Sequence, residues 1–215
     1  MRFLLFLLYK EIDPSCNSED GKTLIKVNDT SQYLKISAKC EIIQSYCFSK
    51  LKSLSSFTFE DNPNLTTIGY SSFKECSNLT IVNLSICSKL TTIDNYAFYQ
   101  CEKVTEILFP NGLSEIGICT FYNNYLVKFI TIPATVKTMN SVVFDGLRRL
   151  ENITFMIGLD SMVFSSCKIP SSFQIPENVS RVHGQAFDGC EITNISVHPL
   201  NQYLYVENNI IYSAN

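Results

Sequence analysis

Leu90-Thr91-Thr92-Ile93-Asp94-Asn95-Tyr96-Ala97-Phe98-Tyr99-Gln100-Cys101 is one copy of a pattern that recurs along most of this chain. Its phenylalanine returns as Phe48, Phe73, Phe98, Phe121, Phe144, Phe164 and Phe187, at spacings of 25, 25, 23, 23, 20 and 23 residues. A period in the twenties marks a solenoid, in which each coil buries its apolar face only against its neighbours. Other positions keep phase with the phenylalanine. Five residues before it stand Ile43, Ile68, Ile93, Ile116, Met139, Leu159 and Val182, and three after it Leu51, Cys76, Cys101, Asn124, Leu147, Cys167 and Cys190.

A second apolar run follows in each unit: Leu54-Phe57-Phe59, Leu79-Val82-Leu84, Val104-Ile107-Phe109, Val127-Ile130-Ile132 and Leu150-Ile153-Phe155. The sixth unit has Pro170 in the first place and keeps Phe173 and Ile175, and the seventh continues as Ile192-Ile195-Val197. Pro110, Pro133 and Pro176 close three of these runs. An I-x-L pair alternating in and out is a short strand with one buried face. A proline directly after it ends the ladder, because it has no N–H to donate. The I-x-x-x-x-F-x-x-C segment has the spacing of a helical or 3₁₀ turn. The expected fold is therefore an α/β solenoid: parallel short strands on one side, helical or 3₁₀ turns on the other, and the seven phenylalanines in one internal column.

The pattern L-x-x-I-x-x-x-x-F-x-x-C-x-x-L-x-x-I-x-L/I-P resembles the BspA-like leucine-rich repeats found in surface antigens of bacteria and parasitic protists. Residues 90–101 match closely, including an Ala-Phe pair that returns at Ala186-Phe187. The resemblance covers roughly residues 34–197. It departs in the sixth unit, which lacks three turn residues, and in the 25-residue units, which lack the proline. It implies a non-enzymatic module for adhesion, host contact or self-association, with a protein or glycoprotein partner, and brings no catalytic residues with it.

The ends are less regular. Residues 1–33 read as an N-terminal cap, with a hairpin from about Gly21 through Asn28-Asp29 into Tyr33-Leu34-Lys35-Ile36. Residues 198–215 read as a C-terminal cap hairpin turning at Glu207-Asn208-Asn209, with a truncated product and a short gene model both left open. An open coil exposes apolar surface and an unpaired edge, which is why caps are needed. Met1-Arg2-Phe3-Leu4-Leu5-Phe6-Leu7-Leu8-Tyr9 has the form of a minimal signal-peptide core. Lys10-Glu11 follow at once without a small-x-small cleavage site, so a buried strand of the cap is the competing reading. No segment reaches the length of a membrane span, so direct insertion is not expected.

A net charge of −3 with interspersed signs gives no basic footprint for nucleic acid. Phosphate loops, H-E-x-x-H and G-x-S-x-G are absent from the sequence, so no catalytic residue, cofactor or enzyme activity is expected. The nine cysteines include no C-x-x-C, and neither His183 nor His198 stands beside a cysteine pair, so no metal site is expected. Cys76, Cys101, Cys167 and Cys190 share a position that Leu51 and Leu147 also occupy, which reads as a small interior hydrophobe. Stacking would place Cys76 near Cys101 and Cys167 near Cys190, within disulfide reach, but free thiols are the expected state.

Outward strand positions are mostly small and polar. Ile81, Leu108 and Phe129 are the exceptions, on three successive coils, and they form the candidate binding site on the concave strand face. Two settings stand open: a secreted or surface-displayed module, and an intracellular leucine-rich-repeat scaffold in the cytoplasm. Sequons at Asn28, Asn64, Asn78, Asn83, Asn152, Asn178 and Asn194 make glycan occupancy a way to separate them.

Overall fold

The structure, a computed structural model, describes residues 9–155, 162–169 and 172–214. Each coil of the solenoid has three sides. The long-strand side runs through Tyr33–Ile36, Ser56–Phe59, Ile81–Asn83, Glu106–Leu108, Phe129–Thr131, Asn152–Thr154, Ser172–Ile175 and Asn194–Val197. These strands lie parallel, in three hydrogen-bonded segments. The second side is a parallel sheet of two-residue strands, Thr23–Leu24, Ile42–Ile43, Thr67–Ile68, Thr92–Ile93, Glu115–Ile116 and Thr138–Met139. Its register places Ile43, Ile68, Ile93, Ile116 and Met139 side by side, all buried. Leu159 and Pro170 of the repeat pattern, and Met1 to Leu8, lie outside the described residues.

The second side, expected as part of a helical turn, is instead a strand ladder, and the third side corrects the rest of that expectation. Among the described residues the one helical piece is the 3₁₀ turn Pro14–Cys16, ahead of the repeats. In the coils, the residues two before and two after the phenylalanine have positive φ: Tyr46 and Lys50, Ser71 and Glu75, Tyr96 and Gln100, Cys119 and Asn123. Gly146 and Gly189 take the second of these places in later coils, where a left-handed backbone costs glycine little. This alternation turns every second amide sideways. Tyr96, Phe98 and Gln100 donate to the carbonyls of Ile118, Thr120 and Tyr122 in the next coil, each at 2.9 Å. Ala97 and Tyr99 instead close turns onto Asp94 and Tyr96 at 3.3 and 3.1 Å. A helix would direct its amides along its own axis and not sideways at the neighbouring coil. The molecule is thus a nearly helix-free β-solenoid with three inter-coil ladders, and the α/β description does not hold.

The core is a single stack. Phe48, Phe73, Phe98, Phe121, Phe144 and Phe164 are fully buried, and Phe187 partly. Successive rings from Phe48 to Phe187 sit 4.5, 4.9, 5.3, 5.5, 5.3 and 5.8 Å apart, within 11° of parallel. Strand spacing of roughly 4.8 Å sets that distance, so ring stacking and backbone pairing are satisfied by the same geometry. The position three residues after the phenylalanine is more than a space-filler. The thiols of Cys76, Cys101, Cys167 and Cys190 donate to the carbonyls of Phe48, Phe73, Phe144 and Phe164 in the preceding coil, at 2.9–3.2 Å. Asn124 does the same through Nδ2 to Phe98, at 3.0 Å. All nine cysteines are unpaired. Burial pushes the Cys76 thiol up to about 12 and that of Cys101 well above its ordinary value, so both stay protonated donors.

Residues 23–36 do not pair with each other as the expected hairpin would. Thr23–Leu24 runs parallel to Ile42–Ile43, and Tyr33–Ile36 runs parallel to Ser56–Phe59, so this stretch already follows the coil path. Among the described residues, antiparallel contact here is limited to a bridge between Asn17 and Leu24. Ahead of it, Lys10–Glu11 adds a parallel strand onto Leu34 and Lys35. At the other end Leu204–Glu207 and Ile210–Ser213 form an antiparallel hairpin. Its turn residues Asn208 and Asn209 both have positive φ, as a two-residue hairpin loop requires.

An ion pair ties the N-terminal strand down. Lys10 Nζ lies 2.7 Å from Asp29 Oδ2, and Asp29 also accepts the N–H of Ser31. Those hydrogen bonds, Lys10 first, hold the Asp29 carboxyl at about 2, below its ordinary 3.8. A carboxyl depressed by folding stabilises fully above the unfolded value and loses that contribution as pH falls through the folded one. Amide resonances of Lys10, Glu11 and Ile12 are therefore expected to titrate near pH 2 and to lose that titration in Asp29→Asn. A midpoint at the ordinary carboxyl value would contradict the pairing.

Candidate functional site

The outward side chains of the long strands form two rows. Ile81, Glu106, Phe129 and Asn152 stand opposite one another in the first row, and Asn83 faces Leu108 in the second. Inward partners Val82, Ile107, Ile130 and Ile153 are all buried, so alternation along each strand fixes which residues face solvent. Ile81, Leu108 and Phe129 are accordingly exposed, at 37, 36 and 54%. They are not neighbours in one row. Ile81 and Phe129 flank Glu106, roughly 10 Å apart across two strand spacings. Leu108 lies two residues beyond Glu106 on its strand, so the three surround one carboxylate. Beside Ile81, where the long-strand ladder divides, a cleft of about 240 Å³ is bordered by Tyr9, Phe57 and Ile86.

An aromatic strip on the turn side was not singled out from the sequence. Tyr46, Tyr70, Tyr96, Tyr99 and Tyr122 follow one another with ring centroids 5.4, 5.7, 5.6 and 5.1 Å apart. Lys74 places its ammonium 5.1 Å from the Tyr99 ring centre. Their signal is positional: each stands within three residues of a column phenylalanine, just outside the core. They support one another by edge and face contacts, which adds rigidity to the turn ladder.

Among the described residues no group of three or more His, Cys, Asp or Glu is placed to hold a metal ion. No helix among them is long and apolar enough to cross a membrane.

The comparison that decides the family covers most of the chain: the BspA type leucine rich repeat region matches residues 27–151 and 91–214, in six copies. The chain belongs to the BspA-type leucine-rich-repeat family. It is a repeat module of the interaction kind. Among solved structures it is similar to a leucine-rich repeat protein from Eubacterium ventriosum, with 18% identity and a TM-score of 0.74. That match takes in 91% of this chain and 52% of the other, so the chain spans about half the length of that relative. It is also similar to the T. pallidum leucine-rich repeat protein TpLRR, with 16% identity, 86% of each chain and a TM-score of 0.59. At these identities the likeness is one of fold. No curated protein matches the chain.

Proposed function

We propose that this chain is a non-enzymatic binding module, secreted or displayed at a cell surface, that takes a protein or glycoprotein partner on its long-strand face. Family membership supports the interaction role, and the observation that carries the site is Phe129. It is an aromatic side chain more than half exposed on a strand paired on both sides. A ring held so rigidly loses little freedom on binding, and interfaces concentrate their energy in such anchors. Ile81 and Leu108 extend the apolar area around it, while Glu106 offers a charge that would select a donor at its centre.

Phe129→Ser is expected to keep the melting temperature nearly unchanged, since the side chain packs on nothing inside the coil. Against the wild type's hits on an array of immobilised proteins and glycoproteins, it should weaken binding by about 1–2 kcal/mol or more. Unfolding of the variant would mean that this coil is inverted. Undiminished binding by a folded variant would remove the long-strand face from the interaction.

A second reading, an intracellular scaffold, is favoured by the nine unpaired cysteines, which suit a reducing compartment. Mass spectrometry of the mature N-terminus and of glycans on the sequons separates the two.

A further inference from the structure

The turn ladder ends on unused donors. In earlier coils the N–H of the column phenylalanine and the one two residues on each reach a carbonyl of the next coil. Phe164 donates to Ala186 at 2.9 Å and Ser166 to Asp188 at 2.7 Å. In the last coil the equivalent groups, the N–H of Phe187 and of Gly189, have no acceptor among the described residues. The strand side of that coil is closed differently. Asn209 accepts the N–H of Ile195 through Oδ1 at 3.4 Å and donates through Nδ2 to Thr193 at 3.0 Å. The C-terminal hairpin thus caps the strand edge at Thr193 and Ile195 and stops short of the turn edge.

Between them lies a cleft of about 400 Å³ whose apolar wall is Val182, Phe187, Ile192, Ile195 and Ile211. One face of the Phe187 ring rests on Phe164 at 5.8 Å, and its edge meets Phe173 at 5.2 Å. The remaining face fronts the cleft, which is why this ring is partly exposed where the six before it are fully buried.

We propose that this cleft docks a turn of a partner protein of one chemistry: a large apolar side chain, best phenylalanine, between two free main-chain carbonyls. The molecule holds the template for that occupant. Ala186-Phe187-Asp188 presents the same three groups to the coil beneath it, two carbonyls to the donors of Phe164 and Ser166 and one ring to the Phe164 face. Open edge donors beside an apolar wall favour a ligand that supplies both acceptors and area, as in strand addition. A second copy of this chain does not offer the complement. Two such ends brought together would set N–H against N–H. At the opposite end one of the two equivalent carbonyls, that of Cys47, already accepts Val27 N–H at 3.0 Å, and the Phe48 ring is fully buried.

The test uses the full chain labelled with ¹⁵N and a capped peptide Gly-Gln-Ala-Phe-Asp-Gly, copying residues 184–189. The amide resonances of Phe187 and Gly189 should shift saturably while those of Phe98 and Gln100 stay fixed. The same peptide with alanine in place of phenylalanine should bind about tenfold more weakly or worse. Silence at both amides with millimolar peptide overturns the proposal, as does equal binding of the alanine peptide. Shifts that appear with protein concentration alone, without peptide, would also overturn it and assign the cleft to a second copy.

Discussion

Phe98→Ala is expected to lower the free energy of unfolding by about 3–5 kcal/mol. The ring is fully buried between Phe73 at 4.9 Å and Phe121 at 5.3 Å, so removing it opens a void shared by three coils. Backbone ladders on all three sides hold those coils at fixed spacing, and the void cannot close by collapse. In a solenoid each coil is stabilised by its interfaces with its neighbours, so a central defect weakens two interfaces at once. Tyr99→Ala is the matched control. Tyr99 stacks on Tyr122 at 5.1 Å but is only partly buried, and its loss should cost about 1 kcal/mol. Denaturant titrations of the two variants check this, and equal losses would refute the register of the column.

The second large effect is expected at Asn124. This side chain is fully buried, and its Nδ2 donates to the carbonyls of Phe98 at 3.0 Å and Tyr122 at 3.4 Å. Its Oδ1 has no partner among the described residues. Asn124→Asp would place an ionised carboxylate against two carbonyls with no donor in reach, at a cost of about 3 kcal/mol or more. Asn124→Cys should be far milder, because a thiol makes the same bond at Cys76, Cys101, Cys167 and Cys190. The aspartate variant should recover part of its loss as pH falls, since a neutral carboxyl can again donate to Phe98. Denaturation of both variants at neutral and mildly acid pH measures this. A well-tolerated aspartate at neutral pH would mean that the site is open to water.

The phenylalanine column and the in-out alternation of the long strands were legible because burial repeats in phase with the chain. Every aliphatic position named around Phe73, Phe98 and Phe121 is buried or packs on the core, as that phase requires. The turn geometry was not legible. A spacing of five residues before and three after Phe98 fits a helical turn equally well. What selects the alternating backbone is the hydrogen bonding of Tyr96, Phe98 and Gln100 to the next coil, a long-range term that no local pattern displays. Cysteine was read as a hydrophobe because Leu51 and Leu147 replace it. Asn124 was the residue that carried the contrary signal, since a buried amide needs an acceptor. Asn28-Asp29 between two apolar runs suggested a hairpin, but each run finds its partner one coil later. Of the candidate site, exposure of Ile81, Leu108 and Phe129 followed from strand alternation alone. Their arrangement around Glu106 needed the inter-strand register.

Scalar coupling across a hydrogen bond tests the three-ladder solenoid most directly, because it names donor and acceptor together. In the labelled chain the amide nitrogen of Phe98 should couple to the carbonyl carbon of Thr120, twenty-two residues away in sequence, whose oxygen lies 2.9 Å from that nitrogen across the coil interface. The nitrogens of Tyr96 and Gln100 should couple likewise to the carbonyls of Ile118 and Tyr122. Coupling of Phe98 to the carbonyl of Asp94 instead would establish a helical turn and contradict the account.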